Sequence, residues 1–235
     1  MITGTDTHVG KTVLTAALAA YWRSYCTAQT IGILKPIQTG GEVLPEDAGS
    51  DRALYSRLFA LDPQAVSPLY FEAPLAPPLA AAREGRHVDM ETIWRSFEAM
   101  RQQYDWVLVE ALGGLGSPIT YETTVADLAW DWHLPTVLVV PVRLGAIGQA
   151  VANVALARQS RVHLKGIVLN CVQPCTDVEI ASWAPADLIQ SLTHTPVLGL
   201  LPYLSDPTDL TKLTQVVAEL DLERLMPIMS DFSYS

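Results

Sequence analysis

The sequence predicts an α/β fold with a mostly parallel central sheet and helices on both faces. Five short apolar, β-branched runs, at residues 30–34, 106–109, 136–140, 166–169 and 196–200, lack polar–apolar alternation, as strands covered on both faces require. Stretches with helical spacing separate them, near residues 11–25, 50–60, 89–103, 122–132, 146–160, 177–192 and 208–220. Composition agrees: 49% hydrophobic and 17% charged residues supply a sizeable core and exclude a disordered or fibrous chain. At 235 residues, one domain spanning 1–235 is expected.

Taken in order, the chain starts with a strand reduced to Met1-Ile2-Thr3, which leaves a truncated start or an unusually short edge strand as alternatives. Gly4 to Thr12 then leads into an amphipathic helix that begins Val13-Leu-Thr-Ala. After the run 30–34, Pro36 prevents that strand from continuing as a central ladder, which leaves Lys35 at its end. Gly49-Ser50-Asp51 opens the next helix, with Asp51 in its first turn. The Pro-rich stretch 73–79 could pass for a linker, but its apolar residues predict a packed loop. Glu110 ends the run 106–109, and Asn170 ends the run 166–169. Right-handed crossovers put the carboxyl ends of parallel strands on one edge, where open α/β sheets bind ligands. Gly4–Thr12, Lys35, Glu110, Pro141–Arg143 and Asn170 therefore read as one site.

Charge and cysteine use narrow the function. The net charge of −10 and pI near 4.8 argue against a broad nucleic-acid surface, so any anion is bound locally. No apolar run reaches the ~18 residues of a membrane span and no signal-peptide core is visible, so a cytoplasmic protein is expected. Cys26, Cys171 and Cys175 form an odd set suited to a reducing compartment, and no flanking His or second Cys pair completes a zinc site. The six tryptophans read as core or interface residues.

Gly4-Thr-Asp-Thr-His-Val-Gly-Lys-Thr12 resembles a phosphate-binding loop, and the fold is accordingly P-loop NTPase-like. In such a loop backbone N–H groups and the helix N-terminus cradle phosphate oxygens, Lys11 neutralises the outer phosphates, and the Thr12 hydroxyl is offered to magnesium. Five residues rather than four separate Gly4 from Gly10, so the match is to a variant loop. Asp51 and Glu110 are candidate magnesium ligands, because this ion takes one or two carboxylates together with substrate phosphates. Asn170 carries a donor and an acceptor that suit the adenine edge. His8 reads as a variable loop position rather than a catalyst.

Together, the loop, Lys35-Pro-Ile-Gln-Thr39-Gly40, Ser50-Asp51, Val109-Glu110 with Gly113-Gly114, and Asn170 resemble the dethiobiotin synthetases, in matching order from residue 3 to about residue 204. The resemblance implies that ATP, carbon dioxide and 7,8-diaminopelargonate become dethiobiotin, ADP and phosphate. The implied route runs through a carbamate and a carbamic–phosphoric mixed anhydride. It implies Lys35 and Lys11 as the catalytic lysines, Thr39 near the diamine, and Mg2+ on Thr12, Asp51 and Glu110. It lines the nucleotide with His8, Val9, Gly10, Lys11, Thr12, Val13, Asp51, Glu110, Ala111, Leu112, Gly113, Asn170, Cys171, Pro202, Tyr203 and Leu204. A homodimer with a shared active site is implied, the substrate's carboxylate tail meeting Leu144, Gly145, Ala146 and Ile147.

The chain departs from that family at Ala111-Leu112, where Gly-Ala is usual, and at Gly148-Gln149, where Asn-His is common. Two other readings share the loop. An amidation module like the cobyrinic acid amide synthases needs a glutaminase half, and no Cys-His nucleophile pair is visible. A partitioning-type ATPase typically carries an extra lysine early in the loop, and residues 5–9 contain none.

Overall fold

Alternation along the strands decides how the layers assemble. In a computed structural model, which describes residues 1–40 and 50–226, Val137, Val139 and Val168 point into one apolar cluster. Leu138, Val140, Ile167 and Leu169 point into another. Successive strand side chains face opposite ways, so a strand apolar at every position buries both faces and needs helices on each.

The elements are β1 (Ile2–Gly4), α1 (Lys11–Tyr25), β2 (Ile31–Leu34), β3 (Ile37–Thr39), α2 (Asp51–Phe59), α3 (Pro63–Val66), β4 (Leu69–Phe71), α4 (Pro77–Arg83), α5 (Met90–Gln103) and β5 (Trp106–Gly114). They continue with α6 (Val125–Asp131), β6 (Thr136–Pro141), α7 (Ala146–Gln159), β7 (Leu164–Asn170), α8 (Asp177–Trp183), α9 (Ala186–Thr193), β8 (Val197–Leu201), α10 (Leu210–Ala218) and α11 (Leu222–Leu225). Six strands form one parallel sheet in the order β2-β5-β1-β6-β7-β8, and β3 pairs with β4 in a separate two-stranded parallel sheet. Helices α1 and α10 contribute to the cluster on one face, and α5, α6, α7 and α9 to that on the other. None of the described helices is long and apolar enough to cross a membrane.

The expected α/β fold is present, with corrections. The short first strand is not an edge: β1 lies between β5 and β6. Glu110 does not end its strand, because β5 continues to Gly114. Ile2 pairs with Glu110 and Gly4 with Gly114, so residues 2–4 of β1 face residues 110–114 of β5, and β5 bulges beside the loop. The stretch 177–192 is two helices, since Pro185 caps α9 and interrupts the run. The Pro-rich stretch is packed only in part, with Ala73, Pro77 and Pro78 buried and Leu75 and Leu79 exposed, and its end is helical: prolines suit the first turn, where no N–H partner is needed. Strands β3 and β4 and helix α3 were not expected. Trp22 is buried against Trp106, ring centroids 4.7 Å apart, and the half-buried Trp132 stacks on Phe97 at 4.7 Å, whereas Trp94 and Trp130 are exposed.

Candidate functional site

The loop after β1 is shaped by two glycines that admit no side chain. A Cβ on Gly4 would stand 2.4 Å from the Val9 side chain, and one on Gly10 would stand 1.9 Å from Asn170 Nδ2. Gly10 also has φ 97°, in the left-handed region that glycine enters without steric cost. It caps α1 with no side-chain hydrogen bond, so the first N–H groups of a 15-residue helix face the loop. Such a terminus carries partial positive charge and directed donors, the requirements of a phosphate cradle. His8 sits exposed at the loop's crest with φ 55°, Val9 is buried beneath it, and Thr12 and Val13 are half-buried. Lys11 Nζ donates to the Asp6 carbonyl at 2.9 Å, so the lysine braces its own loop.

Three chain segments converge beside the first turn of α1. The Thr12 hydroxyl lies 2.7 Å from Asp51 Oδ1 and 3.0 Å from Glu110 Oε1. Lys35 Nζ donates to Glu110 Oε1 at 2.9 Å and is ion-paired with Asp51 Oδ2. Each position has a local cause. Lys35 follows β2, and its N–H bonds the Val66 carbonyl at 2.8 Å rather than a strand. Ser50 caps α2 by accepting from Ala53 N, which sets Asp51 as the first helical residue. Glu110 sits next to the β5 bulge, fully buried. Tyr55, one turn after Asp51 on α2, donates its hydroxyl to Glu110 Oε2.

The electrostatics follow from this packing. Burial alone would lower the Lys35 pKa, but the Glu110 and Asp51 carboxylates raise it well above the ordinary lysine value, so Lys35 is a permanent cation. Burial would raise Asp51, yet the Lys35 ammonium and the Thr12 hydroxyl hold it below the usual carboxylate range. Lys11 is lowered, mainly by burial, against the opposing pull of Glu110. Burial and the Glu110 charge push the Tyr55 phenol far up. Among the described residues no three His, Cys, Asp or Glu side chains form a metal cluster. The donor set is two carboxylates and a hydroxyl, all hard oxygens, which fits a magnesium ion that completes its shell with phosphate and water.

The remaining expected residues occupy the same edge or its surroundings. Asn170, expected on adenine, closes β7 buried, and its Nδ2 donates to the Val9 carbonyl at 2.8 Å, so part of its amide holds the phosphate loop. Cys171 follows, buried and bonded through its N–H to the Leu201 carbonyl; all three cysteines are free thiols. Pro202 and Tyr203 are exposed beyond β8, with Leu204 half-buried. Ala111 is buried and Leu112 half-buried in the bulge. Gly113 has φ 51°, and a Cβ there would meet Ser117 Oγ at 2.2 Å. Thr39 closes β3, half-buried. Leu144 is 84% exposed, and Gly145, with φ 93°, caps α7 ahead of Ala146 and Ile147 without a side-chain bond. Gln149 ties that helix start to the loop, its Oε1 accepting from Thr5 Oγ1 at 3.4 Å.

The structure thus gathers Thr12, Lys35, Asp51 and Glu110, with Asn170 on the loop's flank, and leaves Thr39 and residues 202–204 at separate strand ends. Sequence reasoning missed Tyr55. The available signal was its i,i+4 spacing from Asp51, which puts both on one helix face.

A family model described as an AAA domain matches residues 1–211. Proteins named ATP-dependent dethiobiotin synthetase BioD resemble the chain along nearly its full length. That of Gloeothece citriformis is 54% identical over 97% of this chain and 98% of its own. That of Crocosphaera subtropica is 52% identical over 95% and 97%. Among solved structures, a ParA family ATPase from Chlorobium tepidum superposes with a TM-score of 0.53 at 16% identity, covering 95% of this chain and 96% of that one. The MinD cell division protein of Aquifex aeolicus gives 0.52 at 15% identity, covering 97% and 98%. At such identities the likeness speaks for the P-loop NTPase fold alone.

Proposed function

Because this chain belongs to the dethiobiotin synthetase family, a family of ATP-dependent ligases that form carbon–nitrogen bonds, we propose that it converts 7,8-diaminopelargonate, carbon dioxide and ATP to dethiobiotin, ADP and phosphate. The observation that supports this reading best is the convergence of Lys35, Asp51, Glu110 and Thr12 beside an open helix N-terminus.

One amine of the diamine adds to carbon dioxide and loses a proton, giving a carbamate. A carbamate oxygen attacks the γ-phosphorus, the bond to ADP breaks, and a mixed anhydride forms. The second amine then attacks the carbonyl carbon, phosphate leaves, and the cyclic urea closes. Lys35 serves this sequence as a fixed cation: with its pKa raised by Glu110 and Asp51 it stays protonated, a lasting partner for the carbamate anion and no proton acceptor. Lys11 and the α1 N-terminus bind the phosphates and stabilise the transferring group. Thr12, Asp51 and Glu110 would hold Mg2+, which when bound neutralises charge on the phosphate oxygens.

Asn170 keeps an acceptor and a second N–H for adenine while one N–H stays on Val9. The uncapped start of α7, tied to the loop through Gln149, suits the substrate's carboxylate tail. The exposed Leu144 beside it suits a second subunit, in a homodimer with a shared site. We read residues 1–235 as one domain of a cytoplasmic enzyme.

The test mixes protein, ATP, Mg2+ and bicarbonate with and without the diamine. ADP release and dethiobiotin formation that both require the diamine are expected. ADP release indifferent to the diamine would transfer the site to the partitioning-type reading, and release requiring an amide-nitrogen donor would transfer it to the amidation reading.

A further inference from the structure

Glu110 has no exposed surface, and its two oxygens have different partners. Oε1 faces Lys35 and Thr12, while Oε2 accepts the Tyr55 hydroxyl. Tyr55 is itself fully buried, its ring within the apolar cluster that includes α1. Its hydroxyl also lies 3.4 Å from the Thr12 carbonyl, so one group from α2 touches both β5 and the first turn of α1. A phenylalanine would fill the same volume. A buried hydroxyl is costly unless bonded, so what this one adds beyond packing is a directed hydrogen bond to the far oxygen of Glu110.

We infer that Tyr55 is a positioning residue for the divalent cation: by holding Oε2 it fixes the rotation of the Glu110 carboxylate and presents Oε1 alone toward Thr12 and Asp51. The inference rests on the reading of Glu110 as a magnesium ligand. The chemistry suits the ion. Magnesium demands near-octahedral geometry and small ligand distances, which a carboxylate free to turn and chelate through both oxygens would spoil. Partners that orient a ligand from behind typically account for about 10–100-fold in metal affinity. Helix α2 then has two tasks in one turn, Asp51 as a ligand and Tyr55 as the clamp on the opposing ligand.

The test titrates Mn2+ into full-length protein saturated with the β,γ-imido analogue of ATP and reads free Mn2+ by electron paramagnetic resonance. Four proteins are compared: wild type, Tyr55→Phe, Glu110→Gln and the double variant. Analogue affinity in EDTA and thermal unfolding in EDTA serve as controls for folding. Tyr55→Phe should weaken Mn2+ binding about tenfold, leave metal-free analogue affinity within about twofold, and cause no further loss in the Glu110→Gln background. Wild-type Mn2+ affinity in Tyr55→Phe, with a loss in Glu110→Gln, would overturn the inference and leave the metal reading standing. Equal losses from Tyr55→Phe in both backgrounds would overturn it too, since the effect would not pass through Glu110. Wild-type affinity in Glu110→Gln would overturn both.

Discussion

Replacing Lys35 with methionine separates what the lysine does for folding from what it does for chemistry. The substitution keeps most of the stem's packing and removes the charge. Glu110, with no exposed surface, loses its 2.9 Å partner but keeps the hydroxyls of Tyr55 and Thr12. Breaking a buried ion pair by removing one member costs about 3–5 kcal/mol, and the surviving hydroxyls place this case near the lower end, about 3 kcal/mol. For a chain of this size each kcal/mol moves the midpoint by about 2–4 °C, so Tm should fall by about 6–12 °C in metal-free buffer near pH 8. Differential scanning fluorimetry in EDTA at pH 8 measures it. A loss under about 2 °C would refute the view that Lys35 compensates a buried charge.

Lys11→Ala should lower the rate of phosphoryl transfer by about 10²–10³ and weaken nucleotide binding as well, read by single-turnover ADP release and by calorimetry with ATP. Asn170→Ala should erode the preference for ATP over GTP by about 1–3 kcal/mol in kcat/KM, and should also destabilise the loop by leaving the Val9 carbonyl without its 2.8 Å donor, visible as faster amide exchange over residues 5–11. Asp51 has a depressed pKa, so its contribution to stability is present above the unfolded value of about 3.9 and is lost as pH falls through the lower folded value. Acid unfolding followed by circular dichroism should therefore lose this increment in the wild type and show no matching step in Asp51→Asn.

The central sheet was legible because its strands are apolar at every position, and the long helices because they repeat an apolar face between them. Strands β3 and β4 are three residues each, too short for any period to register, and their pairing joins Ile37 to Leu69 across distant sequence. Pro36 correctly stopped the strand before Lys35, but nothing local announced that the chain would start another strand immediately after it. Glu110 looked like a strand end because its carboxylate closes the apolar run 106–109, whereas the bulge between the pairs Ile2–Glu110 and Gly4–Gly114 absorbs the excess length within the strand. At the site, Lys11, Thr12, Lys35, Asp51 and Glu110 could be singled out from motif and position. What they touch could not. The bond from Asn170 to Val9 spans 161 residues, and the Tyr55–Glu110 contact spans 55, separations at which only the folded chain supplies the partner.

Those partners explain how an acidic protein can hold polyanions. With a net charge of −10, the far field opposes an approaching nucleotide rather than steering it. Near the loop the two lysines, Lys11 and Lys35, offset the two acids, Asp51 and Glu110, so the site itself has little net charge to offer. Binding must then come from direction: uncapped N–H groups at the start of α1, a lysine braced on the loop, and oxygens aimed by α2 and β5. Directed donors act at hydrogen-bond range and are little weakened by salt, whereas attraction from distributed surface charge fades beyond about 10 Å at 0.1 M ionic strength. The same economy fixes the place of Lys35. Its charge is committed to two carboxylates in the free protein, so in the proposed reaction it would meet the anionic carbamate only where that anion enters the shared cluster, next to the phosphate loop.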